Sequence, residues 1–282
     1  MHKENGNLSS SMYIDFMRDG FVSPIDLFST IEIEKINNEI KRLSATKTGK
    51  LSSISRINTH LLSHIFWDLV HDNRILDIVE KLIGSNIYCI GSSIIDKLPD
   101  SQSFVACHQD ATFWGLSKPI GATVWIALTA ANKQNGGMYF VKHSHLNQLP
   151  HFDTKNEHNM LGARESVIKL PAESEKTYSD LKPGQISIHH PLVLHGSPNN
   201  LSSESRLAFV IRYIPSSVKQ DNALVTLVRG ANLSKMKLLS RPKTNASYQM
   251  LIEHGRAMKQ NADVIKRAKY IHLKENNGYH NE

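Results

Sequence analysis

The chain has 282 residues, of which 40% are hydrophobic and 21% are charged, a composition typical of a globular protein with a full-sized core. No apolar run reaches the ~18 residues of a membrane span, and the N-terminus MHKENGNLSSSMYIDF lacks the apolar core of a secretory signal. The two cysteines, Cys89 and Cys107, are too few for a disulfide framework or a cysteine-based zinc site. We therefore expect a cytoplasmic protein without a membrane partner.

The net charge of +7 is concentrated at the C-terminal end of the chain. Residues 216–282 hold twelve Lys or Arg and five Asp or Glu, so the preceding residues are neutral as a set. A solvated helix face is the simplest interpretation of such a run, and contact with an anionic partner is the alternative. We expect no nucleic-acid partner, and the sequence leaves the oligomeric state open.

The N-terminal part, residues 13–85, is predicted to be helical, after a disordered or loosely held segment 1–12. A capping box at Ser29-Thr30-Ile31-Glu32 predicts where the first helix begins. The apolar positions that follow lie on one helical face: Ile33, Ile36, Ile40 and Leu43.

The polar, serine-rich residues 44–56 predict a loop. A second helix is predicted after a cap at Asp72, and Gly84 is expected to end it.

Residues 86–215 change to short β-branched and aromatic runs, which predict strands. Turn residues such as Asn135-Gly136-Gly137 and Lys182-Pro183-Gly184 separate the runs. The runs read IYCIGSSII, GATVWIALTA, GGMYFVKHSH, GQISIHHPLVLHG and RLAFVIRYIP. Short strands without intervening helical periodicity predict a mainly β fold of about eight strands with flanking helices, in the form of a sandwich or jelly roll.

A polar stretch, residues 146–180, interrupts this strand series. It is long for a structureless loop, so we predict a lid insertion over a functional site. After Pro215 helical spacing returns, and residues 216–282 are predicted to form a helical, basic part. Its apolar positions are Tyr248, Leu251, Gly255, Met258, Ala262 and Ile265. We expect all parts to belong to one domain, residues 1–282.

The candidates for chemistry lie in the predicted β core. His108 and Asp110 are two residues apart on an extended chain, so their side chains point the same way, and Gln109 should face the other way. His195 in LVLHGSPNN lies at the end of a later strand. Two His and one carboxylate on one face of a metal are the signature of non-haem iron(II) oxygenases. With fifteen His in the chain His-x-Asp is weak alone, and a core histidine is the alternative interpretation of His195.

Arg206 lies at the start of the apolar strand run RLAFVIRYIP. A guanidinium that points inward from such a strand needs an anionic partner, and Arg binds a carboxylate in a bidentate geometry. The distal carboxylate of 2-oxoglutarate meets this requirement. Arg212 has the same strand parity and is the competing candidate, for structure or for substrate binding.

These motifs resemble the phytanoyl-CoA dioxygenase superfamily of iron(II)/2-oxoglutarate-dependent oxygenases. The resemblance rests on DKLPDSQSFVACHQD, VWIAL, NGGMYFVKHSH, LKPGQISIHHPLVLHGSPNN and SRLAFVIRYIP, and the N-terminal MRDGFVSPIDLFS is similar to the opening of the family. It implies a double-stranded β-helix (jelly roll, cupin-like) core. It also implies Fe(II) as cofactor and 2-oxoglutarate and O2 as cosubstrates.

The resemblance also implies roles for single residues. His108, Asp110 and His195 match the iron ligands, and Arg206 matches the residue that binds the C5 carboxylate of 2-oxoglutarate. Four more residues match positions near the cosubstrate: Ser197, Trp125, Trp114 and Lys97. A place in the core is the alternative for each Trp, and a solvated turn is the alternative for Lys97. His190 is interpreted as structural.

The carboxylate at position 110 bears on the reaction. Related halogenases carry Gly or Ala there, so Asp110 implies hydroxylation, or desaturation as an alternative, rather than halogenation. The expected substrate is a small molecule of secondary metabolism, for example an alkaloid of the cylindrospermopsin type. A catalytically inactive jelly-roll binding module is the alternative from another class. Six residues are candidates for the substrate wall: Phe104, Phe113, Trp114, Met138, Arg164 and Arg212.

Overall fold

The structure, a computed structural model, describes residues 4–44, 52, 54–220, 223–242 and 248–277. The α-helices in these ranges are α1 Glu4–Asp19, α2 Thr30–Leu43, α3 His64–Val70, α4 Asn73–Ile83 and α5 Tyr248–Asn277. The strands are β1 Phe21–Asp26, β2 Ile87–Lys97, β3 Val105–His108, β4 Ala122–Ala127, β5 Tyr139–Val141, β6 His151–Asp153, β7 Glu165–Val167, β8 Lys176–Tyr178, β9 Gln185–His189, β10 Leu194–Ser197, β11 Arg206–Pro215, β12 Leu224–Arg229 and β13 Lys237–Leu238. Most of the predicted loop 44–56 lies outside the described residues.

Two main sheets face each other, and β6 and β7 form a separate two-stranded sheet. The larger sheet has the order β1-β9-β4-β11-β2-β12-β13, and the smaller sheet has the order β3-β10-β5-β8. Neighbouring strands are antiparallel, except for the parallel pair of β12 and β13. A shared apolar cluster joins Trp125 and Val210 of the larger sheet to Phe140 of the smaller one. The predicted double-stranded β-helix, or jelly roll, is therefore confirmed.

The larger sheet is buried on both faces. Strand β11 shows which side chains point to each face. Ala208 and Val210 face the smaller sheet, whereas Phe209 and Ile211 pack against helices α1 to α4 on the other side. Side chains alternate along a strand, so Arg206 and Arg212 share the inner face with Ala208 and Val210. The helices thus close the outer face of the sheet, and the chemistry-bearing side chains are left on the inner face.

The predicted helix starts are confirmed. Ser29 accepts a hydrogen bond from the Glu32 amide, and the Glu32 carboxylate accepts one from the Ser29 amide, which completes the capping box. Asp72 caps α4 by accepting from the Arg74 amide at 2.9 Å. The α4 helix ends at Ile83, directly before Gly84.

Two predictions for the parts that flank the strand core need correction. From Glu4 onward, the segment that was predicted to be disordered or loosely held belongs to helix α1. Met12 and the buried Phe16 anchor this helix to the core. The strand core also extends beyond residues 86–215. β1 pairs with β9, and β12 pairs with β2, because the two edges of the larger sheet recruit strands from both flanking parts.

The buried face of α5 differs from the predicted one by about one residue. Leu251 is 55% exposed, and the buried positions are Met250, His254, Ala257, Val264 and Ala268. Small side chains such as Ala257, which packs against Leu61 and Trp67, let the helix approach the body of the protein. His254 adds a hydrogen bond between its Nε2 and the Ile57 carbonyl at 2.7 Å. Hydrophobic periodicity alone cannot identify the buried face of α5, because a buried His and small Ala side chains contribute little to the periodic pattern.

The stretch 146–180 contains regular structure. β6 and β7 pair as an antiparallel hairpin, and β8 completes the edge of the smaller sheet beside β5. Lys269 of α5 fastens the hairpin through the Asp153 carboxylate at 2.8 Å and the Ala163 carbonyl at 3.0 Å. The role of this stretch as a lid stays a prediction.

No helix in the described part of the chain combines the length and the apolar character that a membrane crossing requires.

Candidate functional site

The three predicted iron ligands come together at the end of the smaller sheet. His108 ends β3 and lies directly opposite His195 of β10 in the strand register. Asp110 follows β3 and begins a single 3-10 turn, Asp110–Phe113. The Asp110 Oδ1 atom lies 3.4 Å from His108 Nε2 and 3.9 Å from His195 Nε2. One ligating atom from each residue falls within 4.8 Å of the others, and all three side chains are buried.

Backbone carbonyls orient both imidazole rings. His108 Nδ1 lies 2.9 Å from the Ala106 carbonyl, and His195 Nδ1 lies 3.0 Å from the Val193 carbonyl. A carbonyl can only accept, so each Nδ1 carries the proton and each Nε2 presents its lone pair to the site. Burial lowers the pKa of His195 well below its usual value, which keeps that ring neutral. Burial acts the same way on His108, but the Asp110 carboxylate outweighs it and raises the His108 pKa.

The second oxygen of Asp110 has partners of its own. Thr123 donates its hydroxyl to Oδ2 at 2.9 Å, and His189 Nε2 lies 3.5 Å from the same atom. Burial opposes ionisation of Asp110, but the contacts with His108 and His189 outweigh it and hold the Asp110 pKa well below its usual value. The carboxylate is therefore ionised, and Oδ1 is directed at the two imidazoles. Two neutral imidazole nitrogens and one carboxylate fit iron(II) as a facial triad.

Arg206 provides a buried cation that has no counter-ion among the described residues. It is 2% exposed, and its Nε has no hydrogen-bond partner within the described residues. Its guanidinium carbon lies 5.4 Å from the centroid of the Trp125 ring. Burial lowers the Arg206 pKa to about 10, so the group is still charged at neutral pH. Because a buried charge is costly without a partner, this arrangement fits the free carboxylate of 2-oxoglutarate, bound in a bidentate manner.

Ser197 and Lys97 lie next to Arg206. Ser197 lines the same cavity, and its hydroxyl lies 2.6 Å from Lys97 Nζ. Lys97 is fully buried and pairs with Arg206 across β2 and β11. Its Nζ also contacts the carbonyls of Ser197 and Pro198, so it holds the chain just after His195 and is not a solvated turn residue. Burial and the charge of Arg206 lower the Lys97 pKa to about 6.

The two predicted Trp residues lie in different places. Trp125 is buried between the sheets beside Arg206, where it can contact the cosubstrate. Trp114 directly follows the 3-10 turn that begins at Asp110. It packs against an apolar cluster that contains Val218 and, from α5, Val264. Trp114 is therefore a wall residue on the α5 side of the cavity.

A single cavity of about 420 Å³ connects these groups, a size typical of sites for small molecules. We call the wall around Trp125, Ser197 and Arg206 the cosubstrate end. The substrate end is the wall formed by Phe113, Trp114, residues 160–163, Glu165 and the α5 residues Asn261, Val264 and Ile265. Of the six predicted wall residues, Phe113, Trp114, Met138 and Arg212 line the cavity. Phe104 and Arg164 do not; Arg164 is exposed to solvent.

Gln109 and His190 have structural roles. The Gln109 amide donates to the carbonyls of Asn147 and Leu192 at 2.8 and 2.6 Å, and its oxygen accepts from the Leu149 amide at 2.7 Å. It therefore points away from the metal ligands and ties three loops together. His190 Nδ1 accepts from the Leu192 amide at 3.1 Å.

The cavity residues that the sequence analysis did not identify include Thr123, Glu165 and His189, which lie near Asp110. Thr123 and His189 are register partners on β4 and β9. Each is adjacent in sequence to an apolar residue of the outer face, Val124 or Ile188. This alternation of polar and apolar residues could have predicted that Thr123 and His189 face the cavity. Glu165 gives no such signal, because its strand is short and lies in a polar stretch.

The fold and the site define a non-haem iron dioxygenase that depends on 2-oxoglutarate, with Fe(II) as cofactor and O2 as cosubstrate. The family described as Phytanoyl-CoA dioxygenase (PhyH) matches residues 16–208. The match covers more than half of the chain, and the chain belongs to this family.

Similar proteins agree with this assignment. An ectoine dioxygenase from Nocardia farcinica (strain IFM 10152) is 26% identical over 223 residues, which cover 70% of this chain and 74% of the relative. The solved structure of the non-heme monooxygenase ThoJ in its apo form has a TM-score of 0.82 at 26% identity and covers 92% of this chain and 99% of its own. The epimerase SnoN, solved with Fe3+, alpha ketoglutarate and nogalamycin RO, has the same fold, with a TM-score of 0.63 at 22% identity and coverage of 76% and 86%.

Proposed function

We propose that this dioxygenase hydroxylates an unactivated C–H bond of a small molecule, with His108, Asp110 and His195 as the iron ligands. One observation carries the proposal. A complete triad of buried ligands lies in the same cavity as Arg206, a buried cation without a counter-ion among the described residues.

Each residue group has a defined task in this proposal. The triad holds iron on one face and leaves the other positions for the cosubstrate and O2. Arg206 binds the distal carboxylate of 2-oxoglutarate, and Trp125 covers the guanidinium. Ser197, held by Lys97, offers a hydroxyl beside the same carboxylate. When bound, iron(II) and 2-oxoglutarate together supply the oxidising chemistry, with succinate and CO2 as coproducts.

Asp110 favours hydroxylation over halogenation. A halogenase needs a free position on the metal for a halide, and here the Asp110 carboxylate faces that position. Thr123 donates a hydrogen bond to its other oxygen, and His189 Nε2 lies 3.5 Å from the same atom, so the Thr123 hydroxyl orients the side chain. Desaturation needs the same site and differs only in how the substrate is positioned, so it stays the alternative reaction.

The size and lining of the cavity support a small-molecule substrate. Its volume is about 420 Å³, and pockets of this class enclose most of the ligand that they bind. Apolar side chains such as Phe113, Val264 and Ile265 predominate at the substrate end, and they would exclude water from the reacting carbon. A role in secondary metabolism is proposed from the family resemblance.

A cytoplasmic location is also part of the proposal. Cys89 and Cys107 are both free and buried. Burial raises the pKa of Cys89 to about 12 and that of Cys107 to about 11, so neither thiol is activated for redox chemistry.

The test has two stages. Anaerobic addition of Fe(II) and 2-oxoglutarate should give a weak visible charge-transfer band, and its absence would contradict the proposed iron and cosubstrate site. A screen of small molecules, including ectoine and an alkaloid of the cylindrospermopsin type, should then find a compound that stimulates succinate formation. With 18O2 a hydroxylated product gains one labelled oxygen atom, whereas a desaturated product gains none.

A further inference from the structure

Glu165 is a buried carboxylate in the substrate end, and the proposed reaction gives it no task. It is the first residue of β7 and lines the cavity with an exposed fraction of 7%. Its Oε2 has no hydrogen-bond partner within the described part of the chain. Burial raises the Glu165 pKa, and the Asp110 carboxylate acts in the same direction. A group in this environment is costly to keep without a partner.

The neighbouring residues do not neutralise this carboxylate. No Lys, Arg or His nitrogen of the described residues lies within 4.0 Å of it. His108 is near enough to act on it electrostatically, but both nitrogens of that ring are used. Nδ1 donates to the Ala106 carbonyl, and Nε2 faces the iron site.

The other charged residues of the cavity differ in their partners. Arg56 forms an ion pair with Asp96. Arg212 is half-buried and donates to the neutral Ser93 hydroxyl at 3.0 Å, with no ion pair to a carboxylate among the described residues. Asp110 serves the metal, and Arg206 serves the cosubstrate. Iron(II) has two positive charges, and Asp110 and the keto acid end of 2-oxoglutarate contribute one negative charge each, so the loaded centre is neutral. Glu165 therefore remains a buried acidic group with no cation within 4.0 Å among the described residues, and a cationic group of the substrate would stabilise its ionised form.

Several residues of the wall that contains Glu165 are apolar. Met160 and Leu161 precede it in the same wall, and the α5 residues Val264 and Ile265 complete the substrate end. The hairpin and α5 meet here, since a Cβ added to Gly162 would lie 4.0 Å from Ile265. An ion pair formed in such a place is screened little by water and is correspondingly strong.

We propose that Glu165 binds a basic nitrogen of the substrate, an amine, amidine or guanidine on a mainly apolar frame. This inference rests on the proposed function, because it takes the substrate to occupy the same cavity as the cosubstrate. The Glu165 carboxylate then fixes one end of the molecule while the apolar wall holds the frame, and the position of the frame determines which carbon faces the iron.

Binding of three probes with one ring and different head groups tests the proposal. Benzylamine is a cation, benzyl alcohol a neutral donor and benzoate an anion, and each is titrated by calorimetry into protein loaded anaerobically with Fe(II) and 2-oxoglutarate. Wild type should bind benzylamine roughly 10-fold or more tighter than benzyl alcohol, as expected for a hydrogen bond to a charged group, and should bind benzoate weakest. Glu165→Gln should remove the preference for benzylamine. The matched control Glu157→Gln makes the same change at an exposed position of the same stretch and should keep the preference.

Several results would overturn the proposal. One is that Glu165→Gln binds benzylamine as tightly as wild type does. Another is that wild type prefers benzyl alcohol. The third is that wild type shows no benzylamine binding up to about 10 mM, a concentration that would detect even weak binding. Glu165→Asp guards against a folding defect, because it keeps the charge and should keep part of the preference. The charge-transfer band is recorded on the same samples. If wild type lacks the band, the proposed function fails; if the band is present without an amine preference, only the role of Glu165 fails.

Discussion

The two ends of the cavity carry groups of opposite charge type, neither with a counter-ion among the described residues, and are built in different ways. The cosubstrate end has the cation Arg206, and it lies on paired strands whose register fixes every side chain. The substrate end has the carboxylate Glu165, and it lies where a short hairpin meets α5. The comparison indicates that the chemistry common to the family depends on the sheets. In our proposal, substrate choice depends on two elements joined by side-chain contacts, and these contacts can change without disturbing the sheets.

The largest effect is expected from Asp110→Ala at the iron site. Without this carboxylate, the affinity for iron in chloride-free buffer should fall by more than the ~100-fold typical of residues that only support a ligand. The charge-transfer band and succinate formation should both disappear. Asp180→Ala, an exposed position, is the control and should retain both. A normal band in Asp110→Ala would show that another residue completes the metal site.

The next effect is expected from Arg206→Ala. Loss of one partner of a buried ion pair costs about 3–5 kcal/mol, so the 2-oxoglutarate concentration needed for half-maximal band intensity should rise roughly 100-fold or more. Iron binding, measured without 2-oxoglutarate, should not change. Arg241→Ala removes an exposed Arg paired with Asp68 and should leave the requirement as it is. An unchanged requirement in Arg206→Ala would move the cosubstrate away from this end.

A smaller effect is expected from Thr123→Val, which removes the hydrogen bond to Asp110 Oδ2 and keeps the shape of the side chain. Supporting contacts of this kind are worth about 10–100-fold in metal affinity, and a competitive metal titration measures the change. Thr177→Val on the edge strand β8 is the matched control. If both variants bind iron like wild type, the Thr123 hydrogen bond is not needed to orient the carboxylate.

The smallest effect is expected from Lys269→Met, which releases the hairpin from α5. The Lys269–Asp153 ion pair is partly exposed, and such pairs contribute about 1 kcal/mol or less. Benzylamine should therefore bind about two- to fivefold more weakly, and the 2-oxoglutarate requirement should stay the same. Lys266→Met, an exposed position of the same helix, is the control. A parallel rise in the 2-oxoglutarate requirement would show that the two ends are coupled and would break the comparison.

Some structural features were predictable because their signals are local. The capping box at Ser29 lies within a few residues of one helix start, and the strand runs of residues 86–215 each carry their own turn residues. The prediction of the buried face of α5 was wrong because His254 and Ala257 are buried by long-range contacts. The strands β1 and β12 were missed because only their pairing with a sheet edge makes them strands.

The sequence by itself determined the metal chemistry of this protein. His108, Asp110 and His195 could be recognised because a ligand set has fixed residue types and because strand parity directs the first two to the same side. The tertiary structure decided the rest of the site. It placed Thr123 and His189 behind Asp110, Lys97 behind Ser197, and the unpartnered Glu165 in an apolar wall. Each of these roles depends on which distant segment is packed opposite, and a linear pattern does not contain that information.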